Sequence, residues 1–161
     1  MKNSKTAALY LVAALGFGVS GAYSQSGNNS LPMDRVYQGH IQLPDFAGRD
    51  SQFRTFRTRI SNEMRTGPNF AGHYAIVDIG CGTGCHIVFV GDVATGKMFP
   101  FPYGGEDYNM LGLRYAVKSN YVTARWEHGG SCYRESLDWN GSQFSTSVPR
   151  EIIGPDTECN K

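Results

Sequence analysis

The sequence predicts a mainly β fold of the α+β type: two antiparallel β-meanders, with one amphipathic N-terminal helix packed on a sheet. Three observations predict it. From residue 74 to residue 148, short runs of β-branched and aromatic residues follow one another, separated by Gly- and Asn-bearing turns. Ahead of them, one segment carries apolar residues at helical spacing. A weak internal repeat with an offset of 47 residues places Tyr74 on Tyr121, Gly82 on Gly129 and Cys85 on Cys132. Each copy reads strand, Gly-rich bend with a cysteine, strand, turn containing Gly96 or Gly141, strand. A propeller needs about four such units, so two copies point to two packed meanders.

In chain order, residues 1–24 have the layout of a secretory signal. Lys2 and Lys5 make a basic start, residues 7–19 are apolar, and Ala22 and Ser24 precede a cut before Gln25. Residues 25–34 are polar and rich in Gly, Ser and Asn, which fits a flexible leader. Residues 35–161 form a single disulfide-bonded, β-rich domain on this reading.

Residues 36–43 alternate over most of their length and are expected to be a strand, with Tyr37, Ile41 and Leu43 on one face. Asp50 or Ser51 is expected to cap a helix. Phe53, Phe56, Ile60 and Met64 form its apolar face, and Gly67-Pro68 ends it. Arg54, Arg57, Arg59 and Arg65 decorate the other side, as a solvated face does. Strands are expected at 74–78, 86–90, 97–101, 115–117, 121–126, 133–139 and 144–148. Asn140-Gly141 is a strong hairpin signal.

The chain holds 15 basic and 14 acidic residues. Loss of residues 1–24 removes two lysines and leaves thirteen against fourteen. This balance calls for no nucleic-acid partner and no insertion into a membrane after signal removal.

Cys81, Cys85, Cys132 and Cys159 all follow the leader, and an even count in an oxidising compartment reads as disulfides. Cys81–Cys85 with Cys132–Cys159 is the favoured pairing: the first closes a short Gly-rich loop and the second pins the tail. Crosslinks from Cys81 or Cys85 to Cys132 would close longer loops and remain open. Zinc is the alternative, weakened by the loose C-x-x-x-C spacing.

Two motifs invite a nucleotide reading. Residues 75–84, AIVDIGCGTG, look like the glycine-rich motif of S-adenosylmethionine-dependent methyltransferases. That family needs a helix directly after the glycines, whereas residues 86–90 read as a strand, so methyltransferase activity is a remote alternative. Residues 91–97 fit the G-x-x-x-x-G-K spacing of a phosphate loop. Met98 occupies the place of the magnesium-binding hydroxyl, and Pro100 breaks the following helix. A hairpin turn explains them better.

No catalytic residue, metal ligand or cofactor is assigned. Ser131, His128 and Glu127 adjoin in sequence, but triads are assembled from separated positions, and residues 129–133 fail the nucleophile-elbow pattern. His73 with a reduced Cys81 or Cys85 would make a thiol catalyst only outside a disulfide. The tyrosines at 103, 108, 115, 121 and 133 lie around Gly-rich bends, where they serve either an interface or the core. The binding candidates are His73, Tyr74, Glu127, His128, Gly129, Gly130 and Ser131, the last three on a small polar turn.

FRTRI at 56–60, GPNFAGHY at 67–74, GCGTGC at 80–85 and D-x-x-T-G at 92–96 together resemble a family of small exported bacterial proteins without an established activity. The resemblance is strong over residues 53–96 and loose elsewhere. It implies export, paired cysteines and a β-rich core, and it transfers no catalytic residue.

The expected function is a periplasmic or secreted binding or inhibitor protein that recognises another envelope protein. An immunity protein against a cell-wall-degrading toxin is one version. The alternatives are an envelope hydrolase acting on peptidoglycan or a small ester, and a structural envelope component.

Overall fold

A computed structural model describes residues 35–160. The predicted signal, its predicted cleavage site and the predicted leader, residues 1–34, lie outside the described residues. Seven strands form two antiparallel sheets: β1 (Tyr74–Gly82), β2 (Cys85–Asp92) and β3 (Met98–Pro100) in one, β4 (Asn109–Arg114), β5 (Tyr121–His128), β6 (Ser131–Trp139) and β7 (Phe144–Pro155) in the other. Both sheets are simple meanders, with strands side by side in sequence order. Among the described residues, no helix is long and apolar enough to cross a membrane.

A six-residue 3-10 segment, Ser51–Phe56, runs directly into α1, Arg57–Arg65. The predicted apolar spacing works: Phe53, Ile60 and Met64 are buried and Phe56 is half-buried against them. They pack on Ala75, Val77 and Ile79 of β1. Gly91 of β2 lets the helix come this close, since a Cβ there would lie 2.6 Å from the Met64 sulfur.

The opposite face of the first sheet packs on the second. Tyr74, Ile76, Val88, Val90 and Phe99 meet Val122, Ala124, Trp126, Leu137 and Trp139 in the main core. The three-stranded sheet is therefore covered on both sides. Its strands read as near-continuous apolar runs, while β5 alternates between buried and more exposed positions.

The 47-residue repeat aligns the strands: β1 falls on β5, β2 on β6 and β3 on the start of β7. It does not align their faces. Ala75, Val77 and Ile79 point to the helix, whereas their counterparts Val122, Ala124 and Trp126 point between the sheets.

Four local expectations need correction. Residues 36–43 form no strand; Tyr37 and Ile41 still pack half-buried on the helix-side cluster, while Leu43 is exposed. Asp50 makes no side-chain cap to the helix. Its buried carboxylate instead accepts from the backbone N–H of Met98 (3.1 Å) and Asp45 (3.1 Å), and from Arg49. Residues 115–117 are not a strand; β4 lies just before them, with Met110 at φ 54° and an irregular register between Asn109 and Gly112. Finally, β7 runs on through Pro149 to Pro155, which a sheet-edge strand with register shifts allows.

The glycines near residue 80 turn β1 back into β2. Gly82 and Gly84 carry φ values of 147° and 74° at the tip, and Cys85 opens a strand, not a helix. Asp92 caps the next hairpin, its carboxylate accepting from Ala94 N–H and the Thr95 hydroxyl at 2.8 and 2.7 Å. Cys81 pairs with Cys85 and Cys132 with Cys159, with Cα separations of 5.1 and 5.4 Å.

Candidate functional site: an aromatic cleft beside the 128–131 turn

The β5–β6 hairpin turns on two residues. His128 faces Ser131, and Gly129 and Gly130 between them have φ values of 59° and 76°. Positive φ at both central residues is the requirement of a type I′ turn, which glycine meets without strain. The Glu127 carboxylate accepts from the Asn109 amide at 2.6 Å and from Gly130 N–H at 3.3 Å. These two donors, Asn109 first, hold its carboxyl below the usual carboxylate range. The C-terminal tail binds the turn from the other side through Asp156 N–H to the Gly130 carbonyl (3.1 Å), and the Cys132–Cys159 pair fastens that tail. The predicted turn is thus small, exposed and tied down on two sides.

Next to it lies a cleft of about 170 Å³, lined by Asp107, Tyr108, Trp126, His128, Tyr133 and Arg150. Its floor follows from the hairpin register. Trp126 and Tyr133 are directly opposed, and their rings stack at 5.8 Å with an interplanar angle of 15°. Tyr103 and Tyr108 close on the same indole at 4.9 and 5.4 Å. The Arg150 guanidinium lies over it, 4.9 Å from the ring centroid.

Arg150 is oriented from below by Glu135. This carboxylate is buried at 7% exposure, sits 3.5 Å from Arg150 Nε, and accepts from the Thr146 hydroxyl at 2.8 Å. Burial, reinforced by a hydrogen bond to Glu135, pushes the Tyr103 hydroxyl far above its ordinary value, so it stays a neutral donor. The cleft therefore presents flat aromatic walls, one positioned cation, one rim carboxylate at Asp107 and an imidazole.

The structure does not bring all predicted site residues together. Glu127, His128, Gly129, Gly130 and Ser131 form one unit. His73 and Tyr74 belong elsewhere, in the core. Tyr74 bonds through its hydroxyl to the Gly141 carbonyl at 3.2 Å, past the far end of β6 from Ser131. A nine-residue strand separates the two groups by about 25 Å. His73 is 4% exposed, with its ring 4.2 Å from that of Tyr74, and Nδ1 meets no hydrogen-bond partner among the described residues. Burial lowers its pKa, and the Asp92 charge opposes that only in part. His86 lies apart, its Nδ1 2.8 Å from the Asp78 carboxylate.

Trp126, Asp107 and Arg150 were not legible as site residues from composition. The register signal for Trp126 was present: around a two-residue turn at 129–130, residues 126 and 133 must face each other. Arg150 had no such signal, because the register of β7 shifts between Thr146 and Val148 and again between Val148 and Glu151, the span that holds it.

No family model, curated protein or solved structure matches this chain.

Proposed function

We propose that this is an exported binding or inhibitor protein that recognises another envelope protein through the cleft and the 128–131 turn. One observation carries the reading. Tyr108, Tyr133 and Arg150, of residue types that dominate binding hot spots, wall one depression over the buried Trp126, beside a turn held rigid. Its volume suits one side chain of a partner, not a drug-sized ligand. Rigidity lowers the ordering cost of association. The turn presents only small residues beyond His128, so it can approach a partner surface closely. An immunity protein that covers the active site of a cell-wall-degrading enzyme is the version that suits an exported chain with two disulfides.

The test is recovery of a partner from a bacterial envelope extract on the tagged chain, its identification, and calorimetric titration of the purified pair. Tyr108→Ala and Arg150→Ala should each weaken binding tenfold or more, and charged residues at His128 and Ser131 should abolish it. Unchanged affinity in all these variants defeats the assignment. Hydrolysis of peptidoglycan or small esters by the chain, lost on His128→Ala, would favour the hydrolase reading instead. For export, the N-terminus of secreted material should begin at Gln25.

A further inference from the structure

Side chains alternate along β5 and β6, so the neighbours of Trp126 and Tyr133 point to the opposite face of the sheet. There Arg125 stands directly opposite Arg134, and the same cross-strand row ends at Glu151 on β7. Like charges facing each other across an antiparallel pair cost stability. Glu151 engages Arg134 from the other side, Nε to Oε1 at 2.9 Å. The adjacent row runs Arg114, Thr123, Ser136, Val148.

The two small hydroxyl residues in the middle of that row make a floor. The Thr123 and Ser136 hydroxyls are 3.2 Å apart, and Ser136 is only 4% exposed. The longer side chains around them wall a bowl of about 440 Å³. Its lining carries three arginines against one glutamate, with the exposed Tyr121 and Val148 at its rim.

We infer that this outer face of the four-stranded sheet is a second binding surface, built for an extended acidic peptide segment of a partner protein. Charge complementarity selects the occupant. Guanidinium groups are forks that match carboxylates, and three of them against one glutamate make the bowl's lining basic. The hydroxyl floor offers hydrogen bonds to a peptide backbone, and Tyr121 and Val148 offer apolar contact to its side chains. The inference stands apart from the cleft, which lies on the other face of the same strands.

The probe is a fluorescein-labelled octaglutamate peptide, followed by anisotropy on the purified chain at low ionic strength. Binding should weaken as salt rises. Arg114→Gln and Arg134→Gln should each weaken it about tenfold, while Tyr108→Ala in the cleft should leave it unchanged. If Arg134→Gln destabilises the sheet by releasing Glu151, the exposed Arg114 variant reads the effect alone. Equal binding of octaglutamine, or wild-type affinity in Arg114→Gln, overturns the inference. So does a lack of peptide binding, whether or not the chain binds anionic phosphatidylglycerol vesicles. Loss of the envelope partner in Tyr108→Ala with octaglutamate binding intact separates the two surfaces.

Discussion

Asn109 and Glu127 face each other across the β4–β5 ladder, and the amide of the first donates to the carboxylate of the second at 2.6 Å. The other oxygen of Glu127 holds Gly130 N–H, so one carboxylate links an irregular strand start to the tip of a hairpin. Replacing Glu127 with Ala should speed amide exchange at Gly130 about fivefold and leave the middle of β6 unchanged. Because this carboxyl is held below its ordinary range, its tie is present above about pH 4.5 and is lost as pH falls through the lowered value. Exchange at Gly130 that ignores the substitution would show the turn is ordered by its glycines alone.

Asp50 links the start of the helical segment to β3. Its carboxylate is 1% exposed and serves two backbone N–H groups and the Arg49 side chain. Asp50→Ala leaves buried donors without acceptors and should lower unfolding free energy by about 3 kcal/mol in urea titration. If Asp50 acted as an ordinary exposed cap, the loss would be about 1 kcal/mol.

The two cysteine pairs should differ in what they contribute. Cys132–Cys159 spans 27 residues and Cys81–Cys85 only four. Loop-closure entropy assigns them about 3.5 and about 2 kcal/mol respectively. Paired Cys→Ala substitutions, followed by denaturant titration, should preserve that order. The reverse order would mean that the Gly-rich hairpin tip, and not the tail, is the point where the unfolded chain is most restrained.

His73 sets a pH dependence of known sign. Its folded pKa is lowered by burial, so the unfolded chain binds the proton more readily. Its contribution is complete above the unfolded value near pH 6.5 and is lost as pH falls through it toward the lower folded value. Asp92, buried nearby at 7% exposure, works against this shift. Thermal melts from pH 7.5 to 5.5 should show a drop in midpoint that is smaller in His73→Gln. An equal drop in the variant would assign the effect to other groups.

The fold class was legible because its signals are local. Strand composition, glycine turns and one helical stripe each act within about ten residues, and the meanders join neighbours only. The repeat revealed strand order but not facing, since facing depends on which sheet gains a second cover. The segment 36–43 shows the same limit: its alternation buries Tyr37 and Ile41, but no neighbouring strand edge pairs with it. At the site, the 128–131 turn could be read from Gly129-Gly130, whereas the cleft needed β7 to bring Arg150 back over Trp126. His73 stands in a conspicuous motif, yet its setting is that of a core residue.

The most direct measurement is an amide and indole chemical-shift titration of the labelled chain with the envelope protein that the capture experiment recovers. The indole N–H of Trp126 and the amides of His128, Gly129, Gly130 and Ser131 should move together and saturate at one partner per chain, while Gly96 and Gly141 stay still. Shifts confined to the β2–β3 turn or the Gly141 turn, with Trp126 unmoved, would contradict the account.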